Sequence, residues 1–288
     1  MIFNCSGITL LITLKLSRLE FWQKGLRATS HQNTTEDFEM KPIIPLQKSV
    51  VVACDLIPAL LPNLVQATSD IHGIGGYKVG FRLTVIDGLP KVVEAIKRIT
   101  AKPIIFDGQK FGNDIPEIGV EFAGDLALCG VDAVIIFPFT GPVTQRVWTE
   151  ACLKQGLKVI VGGEMTHRGF LEADGGYIRN IAPNDIYKLA AEMGIRDFVV
   201  PGNKPATVQH YRKYIDDICA GTDYKESCLY APGFISQGGD VTETGKVAGD
   251  NWHAIVGSAI YKQNGLEAMR AAAEKVVAQI QEPAWAVP

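Results

Sequence analysis

Several things missing from this chain narrow its class. No two of its six cysteines (Cys5, Cys54, Cys129, Cys152, Cys219, Cys228) stand at C-x-x-C spacing. They lie mostly among apolar neighbours, which excludes a zinc site built from such pairs and reads as reduced core thiols in a cytoplasmic protein. Net charge is nearly absent, at -3, so electrostatics make no case for nucleic acid or an anionic membrane surface as partner. A membrane-length apolar run is missing too. Ile8 to Leu16 is too short to span, no cationic stretch precedes it, and no small-residue cleavage site follows closely.

What is present is an ordinary globular composition, 47% hydrophobic and 20% charged over 288 residues, enough for a sizeable core. The polar Ser/Thr/Asn/Gln-rich stretch from Ala28 to Glu39 separates an apparent appendage, residues 1–40, from the rest. Met40 stands just before Lys41-Pro42 and has the look of an alternative start. Beyond it, short β-branched runs recur, each followed by a turn and then by helical periodicity. They are Val50 to Asp55, Gly76 to Phe81, Pro103 to Asp107, Ala133 to Pro138, Lys158 to Gly163, Asp197 to Pro201, Cys228 to Pro232 and His253 to Gly257. Near-continuous apolar strands alternating with amphipathic helices predict a parallel sheet covered on its outer face, and eight units predict a closed α/β barrel of the (β/α)8 type. Residues 41–288 are therefore expected to form one barrel domain, and residues 1–40 a weakly structured extension.

Barrels of this kind carry their chemistry at the C-terminal ends of the strands. Asp55, Lys78, Asp107, Lys110, Thr166, Gln237 and Ser258 all fall at or just beyond such ends. The densest signal is Phe106 to Pro116, where an apolar run delivers Asp107, Lys110 and Asp114 within a few residues. Like charges crowd together at low cost only when a cation sits between them, and such crowding creates strong local fields. A solvated loop with an Asp-Lys pair would leave the same trace. Asp55 could equally be a helix N-cap, and Lys78 an interior lysine reaching for the rim.

Four strings carry a family resemblance: Asp107 to Pro116, Glu164-Met165-Thr166-His167, Pro232 to Asp240, and Ile255 to Tyr261. From about Val50 to Ile280 the chain resembles the orotidine 5'-phosphate decarboxylases. The resemblance implies a cofactor-free, metal-free reaction on a phosphorylated nucleotide. In it Lys110 is the ammonium and proton donor, Asp107 the neighbour of the substrate carboxylate, and Asp114 a residue lent across a homodimer interface. Asp55 and Lys78 would meet the ribose, and Thr166 the pyrimidine amide. Pro232, Gly233, Gln237, Gly238, Gly257 and Ser258 would form the phosphate grip, with backbone amides and a helix N-terminus aimed at the anion. Phe111 and Phe137-Pro138-Phe139 would supply interface area.

The chain departs from that pattern in places. Asp107-x-x-Lys110-x-x-x-Asp114 is one residue longer on each side of the lysine than the commoner spacing. Ile118 stands where a polar residue usually touches the ribose, and Ser258 where an arginine usually clamps the phosphate, leaving Lys204 or Arg168 as substitute cations. Two alternatives stay open: a magnesium-dependent sugar-phosphate lyase of the hexulose phosphate synthase type, and a non-catalytic phosphate-binding barrel. The first would want a Glu-x-Asp ligand pair, which Ile104-Ile105-Phe106-Asp107 lacks.

Overall fold

The structure, a computed structural model, describes residues 41–110, 113–220, 226–234 and 237–281, with Lys110 described by its backbone alone. The expected 1–40 extension, with Cys5, lies outside the described residues. From Pro42 onward the chain forms one compact unit.

Eight strands pair in parallel and in sequence order, and the last closes on the first: β1 (Lys48–Ala53), β2 (Ile74–Val79), β3 (Ile104–Asp107), β4 (Ala133–Ile136), β5 (Lys158–Gly162), β6 (Asp197–Val199), β7 (Cys228–Pro232) and β8 (Trp252–Val256). Closure sets Lys48 opposite Trp252 and Val52 opposite Val256. The main helices between strands are α1 (Leu61–Thr68), α2 (Phe81–Asp87), α3 (Leu89–Lys97), α4 (Ile118–Cys129), α5 (Pro142–Lys154), α6 (Ala182–Glu192) and α7 (Pro205–Ala220). The short α8 (Val241–Gly245) and α9 (Ser258–Tyr261) and the long α10 (Leu266–Gln281) complete the ring.

Successive side chains of a strand face opposite ways, and the core divides accordingly. Val50 and Val52, Ile104 and Phe106, Val134 and Ile136 pack outward under the helices. Val51 and Ala53, Ile105, Ala133, Ile135, Phe137, Ile160, Val199, Tyr230 and Ile255 fill the barrel itself. Both faces of the strands are thus buried, which is why most of them read as near-continuous hydrophobic runs. The segment before β1 adds Ile43 and Ile44 to the interior set, both buried, with Ile44 against the start of β2 at Gly75. This segment stoppers the N-terminal end.

Just inside that end sits a polar chain. Ser49 Oγ lies 2.7 Å from His253 Nδ1, the His253 and Tyr230 rings are 4.9 Å apart, and Tyr230 is hydrogen-bonded to Asp197. Burial holds the His253 imidazole down at about 3, so it is neutral. Asp197 keeps some surface at the barrel end, but its carboxyl is enclosed and is raised to about 6, against the pulls of Tyr230 and Lys158. The five described cysteines are free, and burial raises their thiols above the ordinary range, Cys152 to about 12.

Candidate active site

The same alternation that fills the barrel aims its charged residues inward at the opposite rim. Val51 and Ala53 point in, so Asp55 does too, and Lys78 is the register partner of Ala53 on the next strand. Lys78 Nζ donates to Asp107 Oδ2 at 2.7 Å and to Asp55 Oδ1 at 3.3 Å, forming a carboxylate-ammonium-carboxylate row across β1, β2 and β3. Lys78 and Asp107 are buried, at 7% and 5% exposure, while the Asp55 side chain is half exposed. Burial alone would depress the Lys78 ammonium, but the Asp107 and Asp55 carboxylates outweigh it and raise its pKa, so it is charged. Lys78 is therefore not a lysine reaching for solvent. Nor is Asp55 a helix cap, since no side chain caps the turn Pro58–Leu60 or α1. The Arg82 guanidinium fixes the Asp55 carbonyl at 3.0 Å.

After Asp107 the chain makes one tight turn, Gly108–Lys110. Gln109 uses that turn to donate to Asp107 Oδ2 at 2.8 Å. Asn113 braces it, donating to the Gln109 carbonyl at 2.7 Å and accepting from the Phe139 N–H at 2.9 Å. Among the described residues, Asp114 makes no hydrogen bond or ion pair to this row within its own chain. It is exposed, its Oδ1 accepts from the following amide of Ile115 at 2.7 Å, and its carbonyl faces Thr144 Oγ1 at 3.5 Å. Exposed Ile115, Ile118 and Val143 surround that stretch. Phe137 and Pro138, expected to supply interface area, are instead buried, Phe137 inside the barrel. Phe111 lies outside the described residues.

On the far side of the rim, β7 ends at Pro232 and the chain turns through Gly233. Its φ of 107° lies in the left-handed region, and an added Cβ would stand 2.9 Å from Thr166 Cγ2. Gly239 N–H closes the loop on the Gly233 carbonyl at 3.1 Å, leaving Gln237 and Gly238 exposed at its tip. The helix N-terminus after this loop is not open to an anion, because Asp240 already caps it, accepting from Thr242 and Glu243 amides at 2.7 and 3.1 Å. At β8 no side chain caps α9, which starts at Ser258. Gly257 is there for close packing, since a Cβ would come within 2.9 Å of the Ala53 carbonyl.

Thr166 is half-buried just past β5, facing the Gly233 turn. Its neighbour Glu164 is buried, and Lys204, a candidate substitute cation, is committed to it: Nζ donates to Glu164 Oε1 at 2.8 Å and to the Met165 carbonyl at 3.2 Å. Arg168 is exposed. The rim thus has two sides, a charged row on β1 to β3 and a glycine-rich wall after β7 and β8 braced by the Glu164-Lys204 pair. Among the described residues no three His, Cys, Asp or Glu side chains gather as a metal would need, and no helix is long and apolar enough to cross a membrane.

A (β/α)8 barrel with a buried charge row at its C-terminal rim belongs to the barrels that work at their strand ends. Within that class the sequence pattern of the orotidine 5'-phosphate decarboxylase / HUMPS family matches residues 48–275, and the chain belongs to this family. An orotidine 5'-phosphate decarboxylase of Methanosarcina mazei is 31% identical over 208 residues, 72% of this chain and 86% of that one. One from Methanococcus maripaludis is 28% identical over 189 residues, 66% and 79% of the two chains. In fold, the chain is similar to the crystal structure of orotidine 5'-monophosphate decarboxylase from Methanocaldococcus jannaschii complexed with the inhibitor BMP, at a TM-score of 0.68 and 22% identity over 82% of this chain and 100% of that one.

Proposed function

We propose that the chain decarboxylates orotidine 5'-phosphate to uridine 5'-phosphate without a cofactor, in de novo pyrimidine synthesis, in the cytoplasm and as a homodimer. The observation that carries the reading is the row Asp55-Lys78-Asp107, buried at Lys78 and Asp107 and followed one turn later by Lys110. Breaking the bond from C6 to the carboxylate leaves an electron pair in an orbital that the pyrimidine ring cannot delocalise, so a fixed field must stabilise it. Lys110 is the group assigned to that carbanion, giving C6 a proton as CO2 leaves and recovering one from solvent. Asp107 stands beside the departing carboxylate, and Lys78 and Gln109 hold it there.

Asp55 and Lys78 take the ribose hydroxyls and Thr166 the pyrimidine amide. The loop at Pro232, Gly233, Gln237 and Gly238, with Gly257 and Ser258, receives the phosphate through backbone amides and the Ser258 hydroxyl. Asp114, exposed beside an apolar patch, completes the row of a second subunit. Purified protein should consume orotidine 5'-phosphate, followed by loss of ultraviolet absorbance, at the same rate with and without EDTA. Turnover abolished by EDTA and restored by magnesium would assign the site to a metal-dependent sugar-phosphate lyase chemistry. No turnover under either condition would leave a binding barrel.

A further inference from the structure

β5 ends at Gly162, so Glu164, Met165 and Thr166 lie beyond the ladder hydrogen bonds that place a strand residue. Something else must place them. Two successive residues leaving β6 grip these three in order. Lys204 Nζ takes Glu164 Oε1 at 2.8 Å and the Met165 carbonyl at 3.2 Å, and Asn203 Nδ2 takes the Thr166 carbonyl at 3.0 Å. The grip is built on a buried charge. Glu164 is 5% exposed, and its second oxygen accepts from Tyr211, whose phenol is kept protonated by burial. The Asn203 amide also reaches the Gln237 carbonyl at 3.4 Å, and a Cβ on Gly239 would stand 2.9 Å from Asn203 Cα, so the β7 loop rests on the same post.

We propose that Asn203 and Lys204 are positioning residues that hold Thr166 at its reading distance and keep it in register with the Gln237-Gly238 loop, so that base and phosphate recognition share one support. This rests on the function proposed above. A neutral side chain at 204 would leave the Glu164 carboxylate buried without its counter-ion, and the loop would move to hydrate it.

The test is binding of uridine 5'-phosphate by calorimetry, with folding followed by circular dichroism. Lys204→Met should weaken binding by roughly tenfold or more with the fold retained. In that background Thr166→Ala should have little further effect, because the threonine is already displaced. Adding Glu164→Gln should recover most of the affinity, since a neutral amide needs no counter-ion and still accepts from Tyr211. A folded Lys204→Met protein that binds like wild type, or a Thr166→Ala effect of equal size in both backgrounds, overturns the proposal. If Lys204→Met does not fold, Asn203→Ala carries the same test: weaker binding and a reduced Thr166→Ala effect support it, and wild-type behaviour overturns it. Failure of the unsubstituted protein to bind uridine 5'-phosphate would sink the decarboxylase reading itself. Binding by that protein with indifferent variants sinks only this inference.

Discussion

Lys78 shows at single-residue scale how the site and the fold are one structure. Its ammonium is taken out of water in the interior of β2, and it is stable there only because Asp107 and Asp55 meet it. Lys78→Met should therefore leave two carboxylates facing one another and cost about 3 kcal/mol of stability, the usual scale for breaking a buried pair. Part of that loss should return as pH falls and the carboxylates protonate, and activity should drop by orders of magnitude. Urea titrations at pH 5 and pH 8, with turnover measured beside them, check both. A variant as stable as wild type at pH 8 would mean the row is solvated. The charged residues of this row were legible in the sequence because a lysine or aspartate interrupting an apolar run is conspicuous. Gln109, Asn113 and Asn203 were not, since a neutral amide in a loop carries no pattern. Lys204, one of two candidate substitute cations in the sequence, has a partner the sequence did not show, because Glu164 stands far back in the chain and meets it only when β5 and β6 lie side by side.

Among the elements, the strands followed the apolar runs closely because both faces of each are buried. β1 begins before its run, at Lys48, because pairing with Trp252 rather than hydrophobicity sets its start. The polar chain at the floor of the barrel was invisible beforehand: Ser49, Asp197, Tyr230 and His253 come from four strands and converge only on closure. It makes opposing demands on pH. His253, held down at about 3 in the fold, adds stability that is complete above its unfolded value of about 6.5 and is lost as pH falls. Asp197, raised to about 6, works the other way, because the folded state holds its proton longer than the unfolded chain and stability falls as pH rises from about 4 to about 6. Asp197→Asn removes only the second effect. The stability of this variant relative to wild type should thus climb through that window, by up to about 1.4 kcal/mol per pH unit. Denaturant midpoints measured from pH 4 to pH 7 test it, and a constant difference would place the Asp197 carboxyl in contact with water.

At the scale of the whole molecule, the position of Asp114 argues for shared sites. It is exposed and its carboxylate accepts from the adjacent Ile115 amide, with Ile115, Ile118 and Val143 exposed around it. A two-fold axis through such a patch would carry each Asp114 to the other subunit's rim. Mixing inactive Lys110→Ala and inactive Asp114→Ala proteins should then restore part of the activity, because one site of the mixed dimer keeps both residues. Subunits shown by mass to have exchanged, yet still inactive, would confine Asp114 to its own chain or remove it from the mechanism.

The stopper at the N-terminal end, Ile43 and Ile44 beneath a fully packed interior, makes the barrel a vessel with a single mouth. Among the described residues the interior is closed by packed side chains at that end, so whatever docks at the rim departs over the rim. Substrate and nucleotide product must then pass one doorway, and the loops at that doorway set the pace of both arrival and departure.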